Sequence, residues 1–519
     1  MPTKKQKVSP NDEIFLIDRS DSLQEVTLQL NEGESVVVMG EGALVLEQGS
    51  VSLNGYLVSD EGARIPLKCD ENFPICIQSG GGASNGNMVP YVSAQYAVVR
   101  LACCSSSEGS WLRVVKLSKS QGGAFYPVEW LEASCDIAGR IQESTGESTF
   151  VICVCGSKNV GKSSFCRYLV NRLLRDHTTV QYLDIDCGQP EFTPPGMVSL
   201  VDISTPILDP PYLQQVSRPT ISYFVGDTSP ASDIPLYVRY VHQLYAYASA
   251  RVTVVNTHGW IQGLGFDVMK QSLAGMHVTH LVRLHGDQSK PHLTPSTIVT
   301  NQDHENLLDY VLPAISSTAT PSCVAARELR HLLASRYSIK ATRAVEKRNT
   351  QWISFCLQCC HEQVTSRRIS DDTAVAVLLA SHMPYSICLD DIAISCQFAE
   401  LQSSQALRVV NGSIVGLCSI SHNESGIDDQ PLMRCHGLGI VRSVMPETGT
   451  LYLLTPLQEE VLASVDCIVV GRVDLPSNLL QTDGLKSPYL AIHGLSSDGT
   501  AAGQGKSRNN LLRQRSIVQ

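Results

Sequence analysis

Gly156, Ser157, Lys158, Asn159, Val160, Gly161, Lys162 and Ser163 come directly after the apolar run FVICVC and open the helix-forming segment SSFCRYLVNRLL. Glycines at such positions let the backbone turn so that its amides and the helix amino end face phosphate oxygens. A lysine in the seventh place reaches outer phosphates, the Ser163 hydroxyl is suited to magnesium, and Ser164 continues the cradle. An ordinary glycine-rich turn is the alternative, and the strand-loop-helix setting argues against it.

Two carboxylates come next. Asp184 and Asp186 end the run VQYLDID. Residues two apart on a strand point to one face, so both can meet a nucleotide site. Asp184 closes the apolar run, where a P-loop protein places the carboxylate that supports magnesium. Asp186 lies further toward the tip, where an acceptor hydroxyl approaches. The competing role for either is to cap the following turn.

These residues need a sheet to hold them. Between about 146 and 345, apolar runs at Phe150 to Cys155, Val180 to Ile185, Ile221 to Val225, Val252 to Val255 and Val278 to Leu284 alternate with helical periodicity after Lys162 and from Leu236 to Ala248. The alternation predicts a parallel sheet flanked by helices, with ligands beyond the carboxyl ends of the strands. Before it, residues 12–145 carry short period-two runs (Ser35 to Met39, Ala43 to Leu46, Val51 to Leu53, Tyr96 to Leu101), which predict a β-rich domain. Ser79 to Met88 reads as a loop. After it, Trp352 to Leu357, Thr373 to Ala380, Leu451 to Leu454 and Cys467 to Val470 predict a second mostly β domain over 346–493. A flexible amino end over 1–11 and a disordered basic tail over 494–519 complete the expected organisation: an α/β chain with a central P-loop NTPase domain flanked by mostly β domains.

The segment DIDCGQPEFTPPG, placed after GSKNVGKSS, resembles the polynucleotide 5′-hydroxyl kinases of ribosomal-RNA processing. YFVGDTSP, VNTHGWIQGLG, AARELRHLL, GLGIVRSV and LYLLTP extend the match. Relatives from messenger-RNA cleavage and polyadenylation share the P-loop and the core around Gln189 but lack Pro190-Glu191-Phe192. The resemblance is most specific over about 150 to 270 and covers the amino-terminal domain only in general character.

The resemblance implies a fold and a set of roles. Lys162 and Ser163 serve ATP and magnesium, Asp186 orients or deprotonates the attacking 5′ hydroxyl, and Gln189 faces the substrate. Thr228 and Ser229 form a clasp near the phosphates; without the family they read as a turn after a strand. Trp260 contacts the polynucleotide, where a stacked ring tolerates any base; its plain alternative is a packing indole. Arg327 and Arg330 lie three apart on an expected lid helix, with Arg330 fitting the pattern best; otherwise they read as a solvated face. ATP is favoured over GTP because the chain lacks an Asn/Thr-Lys-x-Asp sequence. A 5′-hydroxyl RNA, an endonuclease partner and a nuclear, nucleolar location are further implications. The alternatives are an ATP-binding assembly scaffold and a messenger-RNA or tRNA-processing relative.

Composition excludes other classes. The chain has 519 residues, 43% hydrophobic and 17% charged, enough for large cores. Its net charge of -10 requires any nucleic acid to be held by a local basic surface. Eighteen cysteines, many inside apolar runs, read as reduced core thiols. The amino end carries no apolar stretch of signal-peptide type and no run is long enough to span a membrane, which predicts a soluble intracellular chain. Lys4, Lys5 and Lys7 suit either a nuclear address or a solvated terminus. Cys356, Cys359, Cys360 and His361 have a zinc-like spacing without a second pair, and His277 and His280 lie in or beside an expected strand; core roles are expected for both groups.

Overall fold

The computed structural model describes residues 25–70, 72–79, 96–103, 111–117, 125–144, 148–215, 219–285, 307–315, 344–362, 372–398, 403–420 and 432–476, with the short segments 6–7, 14–18, 364 and 479. The 79–88 loop beyond Ser79, Lys4, Lys5, Arg327, Arg330 and the basic tail lie outside them. By internal contacts the chain divides into two units. The first comprises 1–185, 201–210 and 245–342, and the second 186–200, 211–244 and 343–519.

In the first unit, residues Glu25–Asn31, Ser35–Gln48 and Tyr96–Cys103 belong to a ten-stranded sheet. The expected runs at 35 and 43 are one continuous strand, in which Gly40 takes a φ of 114° that side chains rarely adopt and Gly42 leaves room for the Ala102 carbonyl, where a Cβ would lie at 2.5 Å. Period-two burial fills its core: Val26, Leu28 and Leu30 point inward against Val99 and Leu101, while the residues between them are exposed. Each such side chain contributes about 1.5–3 kcal/mol relative to exposure. Val128–Glu143 is a helix whose Trp130 is fully buried.

The same unit holds the predicted parallel sheet. Val180–Asp184, Val252–Asn256, Phe150–Gly156, His280–His285 and Leu308–Pro313 lie side by side in that order, all parallel. Buried on both faces, they read as continuous apolar runs rather than alternating ones. The Leu308–Pro313 strand was not anticipated, its pattern being half exposed.

His280 begins one of these strands and is 2% exposed. Its ring stacks on Tyr310, its Nδ1 lies 2.8 Å from Thr279 Oγ1, and its Nε2 has no partner among the described residues. Burial, reinforced by Arg140 and opposed by Asp136, pushes its pKa from 6.5 down to about 4. Below 6.5 the unfolded chain takes a proton that the folded chain refuses, so stability is complete above 6.5 and falls as pH drops toward 4, by at most about 3 kcal/mol. In His280→Phe, which keeps the stack, that loss should vanish: the gap between variant and wild-type unfolding midpoints should grow in the variant's favour from pH 7 to 4.5. A pH-independent gap would refute the assignment.

The second unit contains an antiparallel pair, Met197–Ile203 with Ile221–Phe224 over Met197 to Leu200, so not every strand of this region is parallel. It also contains a six-stranded sheet ordered Tyr385–Cys388, Thr450–Leu454, Met433–Met445, Ile414–Ile420, Cys467–Val470 and Ala393–Cys396. Two expected strands are helices. Trp352 to Leu357 lies within Ala344–Cys359, and Thr373 to Ala380 within Asp372–Ser381. Trp352 to Leu357 is buried throughout, so periodicity cannot distinguish it from a buried strand; Thr373 to Ala380 buries Val375, Ala376 and Leu379 and exposes Val377, but its nearly uniform apolar sequence hides that stripe. Cys356, Cys359 and Cys360 sit in the same core as Trp352 and Phe355, and burial raises all three thiols, Cys360 to about 12. Among the described residues no group of three or more His, Cys, Asp or Glu is placed to hold a metal, and every described cysteine is free. No described helix is long and apolar enough to cross a membrane.

Candidate active site

The phosphate-type loop is shaped by residues that tolerate left-handed backbone. Gly156 has φ 151° and Gly161 has φ 102°, and Asn159 joins them at 64°. A methyl group on Gly156 would fall 2.4 Å from the Leu284 carbonyl oxygen, so only glycine fits against the neighbouring strand. Behind Gly161 stands the Trp130 ring, fixed by Nε1 donating to the Pro313 carbonyl at 2.9 Å and by edge contact with Phe165. Gly161 caps the helix Lys162–Leu173, whose first amides face the loop. Ser157 is half-buried, Lys158 and Asn159 are exposed, and Val160 is buried.

Lys162 is 7% exposed, and its Nζ donates to the Ser157 carbonyl at 3.0 Å. An ammonium so removed from water is costly unless anions or carbonyls surround it. Beneath it, burial pushes the Cys155 thiol up to about 12, against the opposing pull of the lysine charge.

Asn256 connects the two sides of this loop. It ends the Val252–Asn256 strand between Val154 and Asp184, in register with both. Its Nδ2 donates to Asp184 Oδ1 at 3.0 Å, and its Oδ1 accepts from Ser163 Oγ at 3.5 Å. Asp184 and Asn256 are both fully buried. One carboxamide thus sets the positions of the hydroxyl and the carboxylate. Neither Asn256 nor His258 was singled out from the sequence; the available signal was a polar residue closing an otherwise apolar strand. His258, 3% exposed, accepts the Trp260 backbone N–H at Nδ1. Trp260 is half-buried, and its indole packs on Gly265, where any Cβ would lie 2.2 Å from the ring.

Asp186, Gln189 and Thr228 belong to the second unit, whereas Lys162, Ser163, Asp184 and Trp260 belong to the first. The strand ends at Asp184, and Asp186 is part of the following turn rather than a second tip on the same strand. Its Oδ1 accepts from the backbone N–H groups of Gly188 at 3.0 Å and Gln189 at 3.3 Å. A methyl on Gly188 would meet the Thr228 carbonyl at 2.9 Å and Asp186 Oδ1 at 3.2 Å, so the turn and the Asp227-Thr228 segment lie against each other. Asp227 Oδ1 in turn caps Ser229 N. Gln189 is half-buried. The Pro190 carbonyl accepts from Gln351, and the buried Glu191 from Gln214, which makes this stretch a packed support for the turn.

Residues 156–335 match the family model for the P-loop of the mRNA cleavage and polyadenylation factor CLP1, and 380–476 match the NOL9-like C-terminal domain. The chain is 30% identical over 387 residues to the polynucleotide 5′-hydroxyl-kinase NOL9 of Arabidopsis thaliana, covering 72% of this chain and 97% of that one. It belongs to the NOL9 family of polynucleotide 5′-hydroxyl kinases. The Danio rerio kinase NOL9 is 30% identical over 369 residues and the human one 28% over 366; the chain spans about half the length of each. A solved structure of the Clp1p-Pcf11p complex shares the fold, with a TM-score of 0.53 and 14% identity over 87% of this chain and 98% of that one.

Proposed function

We propose that this NOL9-family chain transfers the γ-phosphoryl of ATP to the 5′ hydroxyl of RNA during pre-ribosomal RNA processing. The Asn256 carboxamide that holds Ser163 and Asp184 in one arrangement, beside the buried Lys162, is the observation that carries this reading. The loop amides and Lys162 hold the triphosphate and offset its charge. Ser163 and Asp184 suit magnesium, which when bound neutralises charge on the phosphate oxygens. Asp186 accepts the hydroxyl proton and aligns the oxygen, Gln189 and Thr228 border its turn, and Trp260 offers a ring for the terminal base. Arg330 takes the lid role. Since phosphoryl transfer needs little covalent help, positioning and charge supply most of the acceleration.

An endonuclease that leaves 5′-hydroxyl ends is the fitting partner, and the nucleus, specifically the nucleolus, the fitting location. The kinase region extends over 146–345 between β-rich regions at 12–145 and 346–493. Incubation of the full chain with γ-labelled ATP should label an RNA bearing a 5′ hydroxyl and leave the same RNA with a 5′ phosphate unlabelled. ATP binding without transfer, alone or with the co-purified nuclease, would instead support an assembly scaffold.

Asn256→Ala should lower kcat about 10- to 100-fold and raise the magnesium concentration for half-maximal rate, as expected when an outer partner of a metal ligand is lost. Unchanged magnesium dependence would show that Asn256 only supports the strand.

A further inference from the structure

Within the second unit, a cleft of about 250 Å³ is lined by Thr228, Arg348, Asn349 and Arg472, with Trp352 at its base. Arg348 and Trp352 are one turn apart on the helix Ala344–Cys359, and the 3%-exposed Trp352 anchors that face in the core. Arg472 follows the strand Cys467–Val470. Its backbone N–H donates to the Gly226 carbonyl, where the two segments touch so closely that a Cβ on Gly471 would lie 2.4 Å from Gly226 Cα. The Arg472 guanidinium lies over the Phe398 ring, and its buried Nε has no partner among the described residues. Neither arginine forms an ion pair among the described residues. Asp227, also on the wall, already accepts from Ser229 N, and Asp474 is exposed at the rim.

Two half-buried guanidiniums, an amide and a hydroxyl around a small cleft form a donor-rich site for a phosphate group. The volume falls below the roughly 300–1,000 Å³ of pockets that enclose whole drug-sized ligands. It suits one phosphodiester with its sugar better than a nucleoside triphosphate. The position matters as well: Thr228, on the cleft wall, has its carbonyl packed against Gly188 in the turn that Asp186 caps.

We propose that this cleft binds a phosphodiester of the polynucleotide strand just downstream of the 5′ hydroxyl that is phosphorylated. The proposal rests on the kinase reading above for the identity of the strand. It makes the reaction sense an acceptor's backbone rather than its base sequence, and it favours polynucleotide ends over free nucleosides.

The test is a cycle with the full chain and two forms of one short 5′-hydroxyl RNA, one natural and one with neutral methylphosphonates at its first linkages. Binding is read by fluorescence anisotropy and transfer by KM and kcat. Arg348→Gln or Arg472→Gln should weaken natural RNA about tenfold, the scale of a lost charged hydrogen bond. The slope of log affinity against log salt should fall by about 0.7 per arginine. Neither variant should distinguish the neutral RNA from the natural one as wild type does, the KM for ATP should stay unchanged, and Arg348→Lys should retain the salt slope. Equal losses for both RNAs, or no loss, overturn the proposal. So does a tenfold loss for ATP with RNA unaffected, since the cleft would then hold donor phosphates. If Arg472→Gln fails to fold, Arg348→Gln on its half-buried helix face decides alone. Absence of transfer by wild type would refute the kinase reading, while the anisotropy cycle would still decide whether the cleft holds RNA phosphates.

Discussion

In Asp186→Asn, phosphoryl transfer should fall about 10²- to 10⁴-fold while ATP binds as before, the range for loss of a positioned proton acceptor. The substitution is informative because of what it preserves. Asp186 Oδ1 accepts from the Gly188 and Gln189 amides, and an asparagine carbonyl oxygen can accept both bonds. The turn, its packing against Thr228 and the thermal midpoint should therefore persist, and only the charge is lost. Were Asp186 merely a turn cap, Asn would serve nearly as well and activity would remain within a few-fold of wild type. Asp186→Ala separates the two effects further: it removes charge and cap together and should add a stability loss of about 1 kcal/mol to the same catalytic loss. Single-turnover transfer measured beside binding of a fluorescent ATP analogue checks both.

The strand-loop-helix at Gly156 to Ser163 was legible because its physics is local. A loop such as Gly156 to Ser163 requires positive φ at Gly156 and Gly161 and a helix beginning at Lys162, and all three requirements are written in consecutive residues. The strands at 150, 180 and 252 were legible for a related reason, since a strand buried on both faces needs an unbroken apolar run. The same rule misled at Trp352 to Leu357. That run is equally apolar and branched, but it belongs to a helix sealed in a core with Phe224 and Leu454, and burial on all sides erases the helical stripe. Asn256 escaped notice because its importance comes from register: it stands opposite Asp184 on one side and Val154 on the other, a pairing made by sheet order alone. The Arg348–Arg472 cleft joins a helix to the end of a strand distant in sequence, and neither arginine carries a local mark.

Lys162→Ala should reduce transfer by about 10³-fold or more, the scale for removing a donor aimed at charge that develops in the transition state. Loss of function here must be separated from loss of fold, and the burial of this side chain gives the means. At 7% exposure the ammonium bears a desolvation cost that its bond to the Ser157 carbonyl offsets. Deleting both together should change resting stability by no more than about 1–2 kcal/mol. Ligand-linked stability behaves differently. A ligand that binds only the folded state at a hundred times its Kd stabilises by about 2.7 kcal/mol, so ATP should raise the wild-type thermal midpoint in a concentration-dependent way. The variant keeps the loop amides and the helix amino end but lacks the cation, and its response should require at least tenfold more ATP. A variant that melts like wild type, responds weakly to ATP and transfers nothing places Lys162 on the phosphates. A full ATP response with transfer intact would remove the lysine from the site, and with it the assignment of the Gly156 to Ser163 loop as the triphosphate cradle.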